Sequence, residues 1–156
     1  MLAIMKPQTT PMRHLVIVTL FFAASLPLFS QDSEQFKACN AKAQTQTDMN
    51  ACAGAEANRI DAKLNALYRQ LLSKAAGEQN AVAKIKASER AWIAYRDAYI
   101  DATYPATDKQ SGYGSMYGMD VALLRAKLTQ QHLADMQELL KQYSGDSGAG
   151  PANLQK

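Results

Sequence analysis

Apolar residues recur at helical spacing through three long stretches of this chain, and no run alternates in the manner of a strand. In the first stretch, which extends to about Ala76, the stripe is Ile60, Leu64, Leu67 and Leu71, in steps of four, three and four. In the second, from about Gln79 to Thr103, Val82, Ile85, Trp92, Tyr95 and Tyr99 lie near one face. In the third, to about Tyr143, the apolar positions include Met119, Leu123, Leu124, Leu128, Leu133, Met136 and Leu140. Punctuation agrees with the pattern. Thr47 is the expected N-cap of the first long helix, with Asp48 placed favourably against the helix dipole. Gly77 is a stop, Pro105 ends the second helix, and Ser115 is positioned to cap the third. Before them, Asp32 to Lys42 is a polar lead-in with Phe36 as its one large anchor, expected to form a short helix. The expected fold is all-α: a small antiparallel helical bundle of three long helices plus a short N-terminal helix.

The first thirty residues have a different character. Lys6 and Arg13 give a positive start, Leu15 to Ala24 is a short apolar run, and Pro27 breaks it. This is the pattern of a secretory signal peptide over 1–30, with cleavage after Ser30 or, alternatively, after Ser25. The apolar run is short of the roughly 20 residues that span a bilayer. The expected organisation is a leader over 1–30, a helical domain over 31–144 and a disordered Gly/Ser/Pro-rich tail over 145–156. Export implies a periplasmic or secreted product, with membrane contact only during translocation.

Both cysteines, Cys39 and Cys52, lie beyond the leader. An even count in an oxidising compartment points to one disulfide. The spacing suits neither a haem-attachment nor a redox motif, and His132 is the only histidine beyond the leader, too few ligands for zinc. Lys+Arg 17 against Asp+Glu 14 gives +3, which falls to +1 without Lys6 and Arg13. So small a charge gives no reason to expect a nucleic-acid partner.

Several blocks together resemble one family. Cys39 followed by Thr45-Gln46-Thr47-Asp48-Met49-Asn50-Ala51-Cys52 is similar to the opening signature of the LprI-like lysozyme-inhibitor family. Asp61-Ala62-Lys63-Leu64-Asn65-Ala66-Leu67-Tyr68 resembles its second block, and Glu89-Arg90-Ala91-Trp92-Ile93-Ala94-Tyr95-Arg96-Asp97-Ala98 its third. Gly114-Ser115 and Leu128-Thr129 echo weaker C-terminal elements. The likeness runs from about residue 39 to 140. It implies an exported helical domain and a protein partner, a lysozyme for one named member. The chain departs from the family in lacking a second cysteine pair: Tyr99 follows Ala98, and no cysteine lies near Met119. A single bridge is therefore expected to hold this fold.

The candidate functional residues each carry two readings. Asp61 and Asn65 share a helix face, one turn apart. With Arg90, Arg96 and Asp97 they form either a surface recognition cluster or, the favoured reading, a register-fixing set centred on a partly buried Asp61–Arg96 pair. Tyr68 and Trp92 are expected core aromatics. The segment from Tyr104 to Tyr117 carries Tyr104, Tyr113 and Tyr117 among glycines and serines, the mixture found in binding loops; the alternative is a connection whose tyrosines fold back onto the bundle. No nucleophile–base pair, phosphate loop or metal constellation is legible, so no cofactor is expected. The sequence thus reads as a non-enzymatic binding protein of the bacterial envelope, a lysozyme inhibitor by resemblance. The alternative is a structural or accessory envelope protein without inhibitory activity.

Overall fold

The structure, a computed structural model, describes residues 33–145; the leader expected over 1–30 and nearly all of the expected tail lie outside them. In chain order the elements are α1 (Glu34–Asn40), α2 (Gln46–Lys74), α3 (Gln79–Thr103), α4 (Lys109–Tyr113), a 3₁₀ turn (Gly114–Met116) and α5 (Tyr117–Ser144). No strand occurs among the described residues. The expected three long helices and short leading helix are all present.

The start of α2 corrects the expected cap. Thr45, not Thr47, holds the N-cap, and its hydroxyl accepts from the Asp48 amide at 3.1 Å. Asp48 reaches back to accept from the Thr45 amide at 3.0 Å. This reciprocal box needs an acidic side chain three residues beyond the cap. Thr45 has Asp48 there, whereas Thr47 would have Asn50. Hydrogen bonding to Thr45, and then to Gln44, holds the Asp48 carboxyl below its ordinary range. The start of α5 also differs from expectation. Ser115 lies within the 3₁₀ turn, and Met116 occupies the cap position without a side-chain hydrogen bond.

The core is organised by α2 and α5. On α2 the buried residues Ala53, Ala57, Ile60, Leu64, Leu67 and Leu71 follow alternating steps of four and three. On α5, Ala122, Ala126, Thr129, Leu133 and Met136 do the same, and all but the partly covered Ala122 are buried. This is the 3.5-residue period of a coiled-coil seam. Cross-links between the two helices keep a nearly constant offset: Arg125 Nη2 donates to Asn58 Oδ1 at 2.8 Å, and Thr129 Oγ1 donates to Asp61 Oδ1 at 3.1 Å. A constant offset means that α2 and α5 run parallel, with α3 returning between them in sequence.

The seam is graded in side-chain size. At its N-terminal end Ala57, Ala122 and Ala126 meet around Ile60. There α1 lays Phe36 against Cys52, Ala53, Met119, Ala122 and Leu123. The Cys39–Cys52 disulfide, with Cα atoms 5.7 Å apart, ties α1 to α2 at this end. At the other end Leu64, Leu67, Leu71, Ala75, Leu133 and Met136 form the main cluster. Here α3 docks, burying Ile85 and packing Val82 and Trp92 against the leucines. Ser33, the N-cap of α1, donates to Glu56 Oε2 at 2.7 Å, and Arg59 closes on the same carboxylate. Hydrogen bonding from Arg59, more than from Ser33, keeps the Glu56 carboxyl below its usual range.

Candidate functional site

Asp61 and Arg96 do not meet. Asp61 turns to α5, where it accepts from the fully buried Thr129 hydroxyl and lies 3.6 Å from Arg125 Nε. Arg96 pairs with its neighbour Asp97 at 2.7 Å, and its guanidinium carbon lies 5.1 Å from the centre of the Trp92 ring. Asn65 and Arg90 are exposed. The expected polar set is therefore split between two places: Asp61 in the α2–α5 seam, and Arg96 with Asp97 on α3. The physical reason is the choice of neighbour. The seam joins the first and last long helices, so the helix next in sequence does not face Asp61.

Trp92 and Tyr68 pack against the leucine cluster, each partly covered. The Trp92 ring stacks on His132, with centroids 4.1 Å apart and planes 7° from parallel. His132 Nε2 lies 2.9 Å from Glu89 Oε2, and the two side chains are 10% and 13% exposed. Glu89, Trp92 and Arg96 from α3 and His132 from α5 thus form one covered polar–aromatic joint. It holds the only side-chain hydrogen bond from α3 to another element among the described residues. Sequence reasoning considered His132 only as a zinc ligand and missed this joint. A usable signal was present: His132 is three residues beyond Thr129 and four before Met136, on the buried stripe of α5. Glu89 likewise falls four after Ile85 and three before Trp92. An imidazole, which can offer an N–H, and a carboxylate, which accepts one, on facing apolar stripes call for each other. Among the described residues Glu89 is the one side chain hydrogen-bonded to His132.

The expected contact loop is short and shaped. Asp108 caps α4 by accepting from the Gln110 and Ser111 amides, and hydrogen bonding to Ser111 above all lowers its carboxyl below the ordinary range. Gly112 sits where an added Cβ would come within 2.7 Å of Ala106 Cβ, and Gly114 ends the helix at φ 68°, a left-handed conformation that suits glycine. The three tyrosines pack on one another. Tyr104 meets Tyr113 and Tyr117 edge-on at 5.1 and 5.5 Å, while Tyr113 and Tyr117 stack at 5.7 Å. The Tyr113 hydroxyl accepts from the Ala106 amide at 3.0 Å, and Lys109 donates to the Tyr104 carbonyl. Burial, with Asp120 nearby, pushes the Tyr104 hydroxyl up in pKa. All three rings are half-buried.

Two aromatics read near one face of α3 with Trp92 are displayed to solvent. Tyr95 is 57% exposed and Tyr99 45%. The face that α3 turns inward follows Val82, Ile85, Glu89, Trp92 and Arg96, and at 100° per residue Tyr95 falls to one side of it. With Ile93 and Met116 these tyrosines are the exposed large hydrophobics of the described residues.

The signature of the lysozyme inhibitor LprI family matches residues 39–136. The chain belongs to the LprI lysozyme-inhibitor family. The match spans α2, α3 and all of α5 that lines the seam, so the LprI-type domain is the helical body described above. An uncharacterised protein of Rhizobium meliloti (strain 1021) is 34% identical over 112 residues, covering 64% of this chain and 77% of that one. No solved structure matches the chain significantly. Among the described residues, no group of three His, Cys, Asp or Glu side chains is placed to hold a metal ion. No helix there is long and apolar enough to cross a membrane.

Proposed function

We propose that this LprI-family protein is exported and inhibits a lysozyme-type muramidase by binding it, without catalysis of its own. Membership of the LprI family is the observation that carries this reading. The remaining features support it. The disulfide that anchors α1 suits an oxidising compartment outside the cytoplasm. The buried His132 is engaged by Glu89 and a stacked tryptophan. Inhibition of this kind needs only a rigid surface that blocks access to the substrate cleft, and a disulfide-pinned bundle supplies rigidity. Purified protein lacking residues 1–30, incubated with c-type lysozyme and then assayed by the clearing of a cell-wall suspension, tests the reading. Dose-dependent slowing of clearance is expected. Undiminished lysis at a large molar excess removes the reading for that lysozyme class.

A further inference from the structure

We propose that the outward face of α3, the strip Lys84, Ala87, Ala91, Ala94, Ala98 and Asp101, is a contact surface for a second copy of this chain laid antiparallel against it. The proposal goes beyond the inhibitor reading and does not depend on it.

The first observation is that α3 has a second periodic face. Its inward face follows Val82, Ile85, Glu89, Trp92 and Arg96. On the far side of the helix, the six residues of the strip follow steps of three, four, three, four and three. At 100° per residue they fall within an arc of about 100°. All six are exposed. The steps give the 3.5-residue period by which one helix faces another. Alanine at the four central positions lets two helices approach closely. Tyr95, 57% exposed, stands one turn beyond Ala91 and borders the strip with apolar area.

The second observation is that the charges on this side work against α3 itself. The cations Lys84 and Arg90 precede the central pair of alanines, Ala91 and Ala94, and the carboxylates Asp97 and Asp101 follow it. The helix dipole favours the reverse order, yet α3 has no acidic residue in its first turn and no basic one in its last. Asp97 and Asp101 are also like charges one turn apart, which repel. Lys84, Arg90 and Asp101 make no ion pair with another described residue. Arg96 takes only Oδ1 of Asp97.

The third observation selects the occupant, because the face complements itself. In one antiparallel register Lys84 falls opposite the partner's Asp101, Ala87 opposite the partner's Ala98 and Ala91 opposite the partner's Ala94. The same register sets Arg90 beside the partner's Asp97, on the flank away from Tyr95. A two-fold axis repeats each of these contacts. A parallel pair would instead set each charge against its own counterpart, which is disfavoured. A partner of one charge sign would satisfy half the face and repel the other half. The contact is one helix wide and about 25 Å long. That is small for a specific interface, so association is expected with a dissociation constant of about 10–1,000 μM.

Sedimentation equilibrium of the purified protein at up to about 1 mM, at low and high salt, tests the proposal. The parent is expected to dimerise with concentration, less so at high salt. A parent that stays monomeric throughout overturns the proposal. Ala91→Glu/Ala94→Glu crowds the centre of the strip with like charges and is expected to be monomeric; a variant that dimerises as the parent does overturns the assignment of the face. Lys84→Glu and Asp101→Lys, each alone, set like charges at both ends of the contact and are expected to weaken it at least about tenfold at low salt. Both substitutions move the charges of α3 toward the preference of the dipole, so helicity by circular dichroism and Tm are not expected to fall. The swapped pair Lys84→Glu/Asp101→Lys is expected to regain dimerisation, since each end again meets its opposite. Failure of the swapped pair to regain it overturns the antiparallel register.

Discussion

The sharpest test of the architecture is the partner of Asp61. Thr129 is fully buried and donates to Asp61, so replacing it by valine keeps its shape and removes one hydrogen bond. That costs about 1 kcal/mol, because Asp61 retains Arg125 and some solvent contact. Asp61→Ala is more damaging. It leaves the Thr129 hydroxyl without its partner in a dry seam and removes the carboxylate beside Arg125 Nε, a buried atom with no hydrogen bond. Both Asp61 and Arg125 are about a third exposed, which discounts the penalty well below that of a fully buried pair. A loss of about 2 kcal/mol is expected. If the hydroxyl and carboxylate truly share a bond, the double variant loses less than the two singles added, by about 1 kcal/mol of coupling. In a domain of this size that coupling corresponds to roughly 4 °C in Tm. Urea unfolding followed by circular dichroism reads all four corners of the cycle. A parallel cycle of Asp61→Ala with Arg96→Ala should be additive. Coupling to Arg96 that exceeds coupling to Thr129 would refute the parallel α2–α5 seam.

Three further outcomes follow from the packing and the charges. Leu71→Ala, at a fully buried site in the main cluster, should lower stability by about 2–5 kcal/mol with an unchanged urea m-value. Replacing both cysteines by serine should cost about 3 kcal/mol, seen as a lower Tm, with faster amide exchange in α1 than elsewhere. Glu56 has a lowered carboxyl pKa, so its stabilising contribution is present above the ordinary value of 4.5 and disappears as pH falls through the lower folded value. Glu56→Gln should therefore be less stable than the parent at neutral pH and should flatten the acid limb of the stability profile below pH 4.5, measured by thermal melts across pH.

Much of this fold is legible in the residues, and the reasons for the rest are physical. Helix α3 runs over Gln79–Thr103 as its periodicity and Pro105 require. The bond between Cys39 and Cys52 follows from the count of two cysteines and the export expected of the chain. What one stripe cannot reveal is which other stripe it faces. Ile60, Leu64, Leu67 and Leu71 would fit α3 or α5 equally by spacing. The decision rests on Ala53, Ala57, Ala122 and Ala126, small enough for a close seam, and on α3 offering only Ile85 for full burial. From that misplaced neighbour came the expected Asp61–Arg96 pair. The capping error at Thr47 was avoidable, since only Thr45 has an acidic residue three places on. The Glu89–His132 joint was likewise readable from two stripes compared side by side.

The parallel seam between α2 and α5 also governs how the chain can mature. Its two halves are separated by the whole of α3 and the turn beyond it, so the seam cannot close until the last helix has been made. Bringing them together requires closing a long loop, which slows folding relative to a hairpin of adjacent helices. A polypeptide cut after Thr103 would keep Val82, Ile85 and Trp92 beside Leu64, Leu67 and Leu71 but lose Leu133 and Met136 from the cluster, leaving the leucines only partly covered. Shortened versions of this protein should accordingly aggregate or be degraded, not survive as smaller working units.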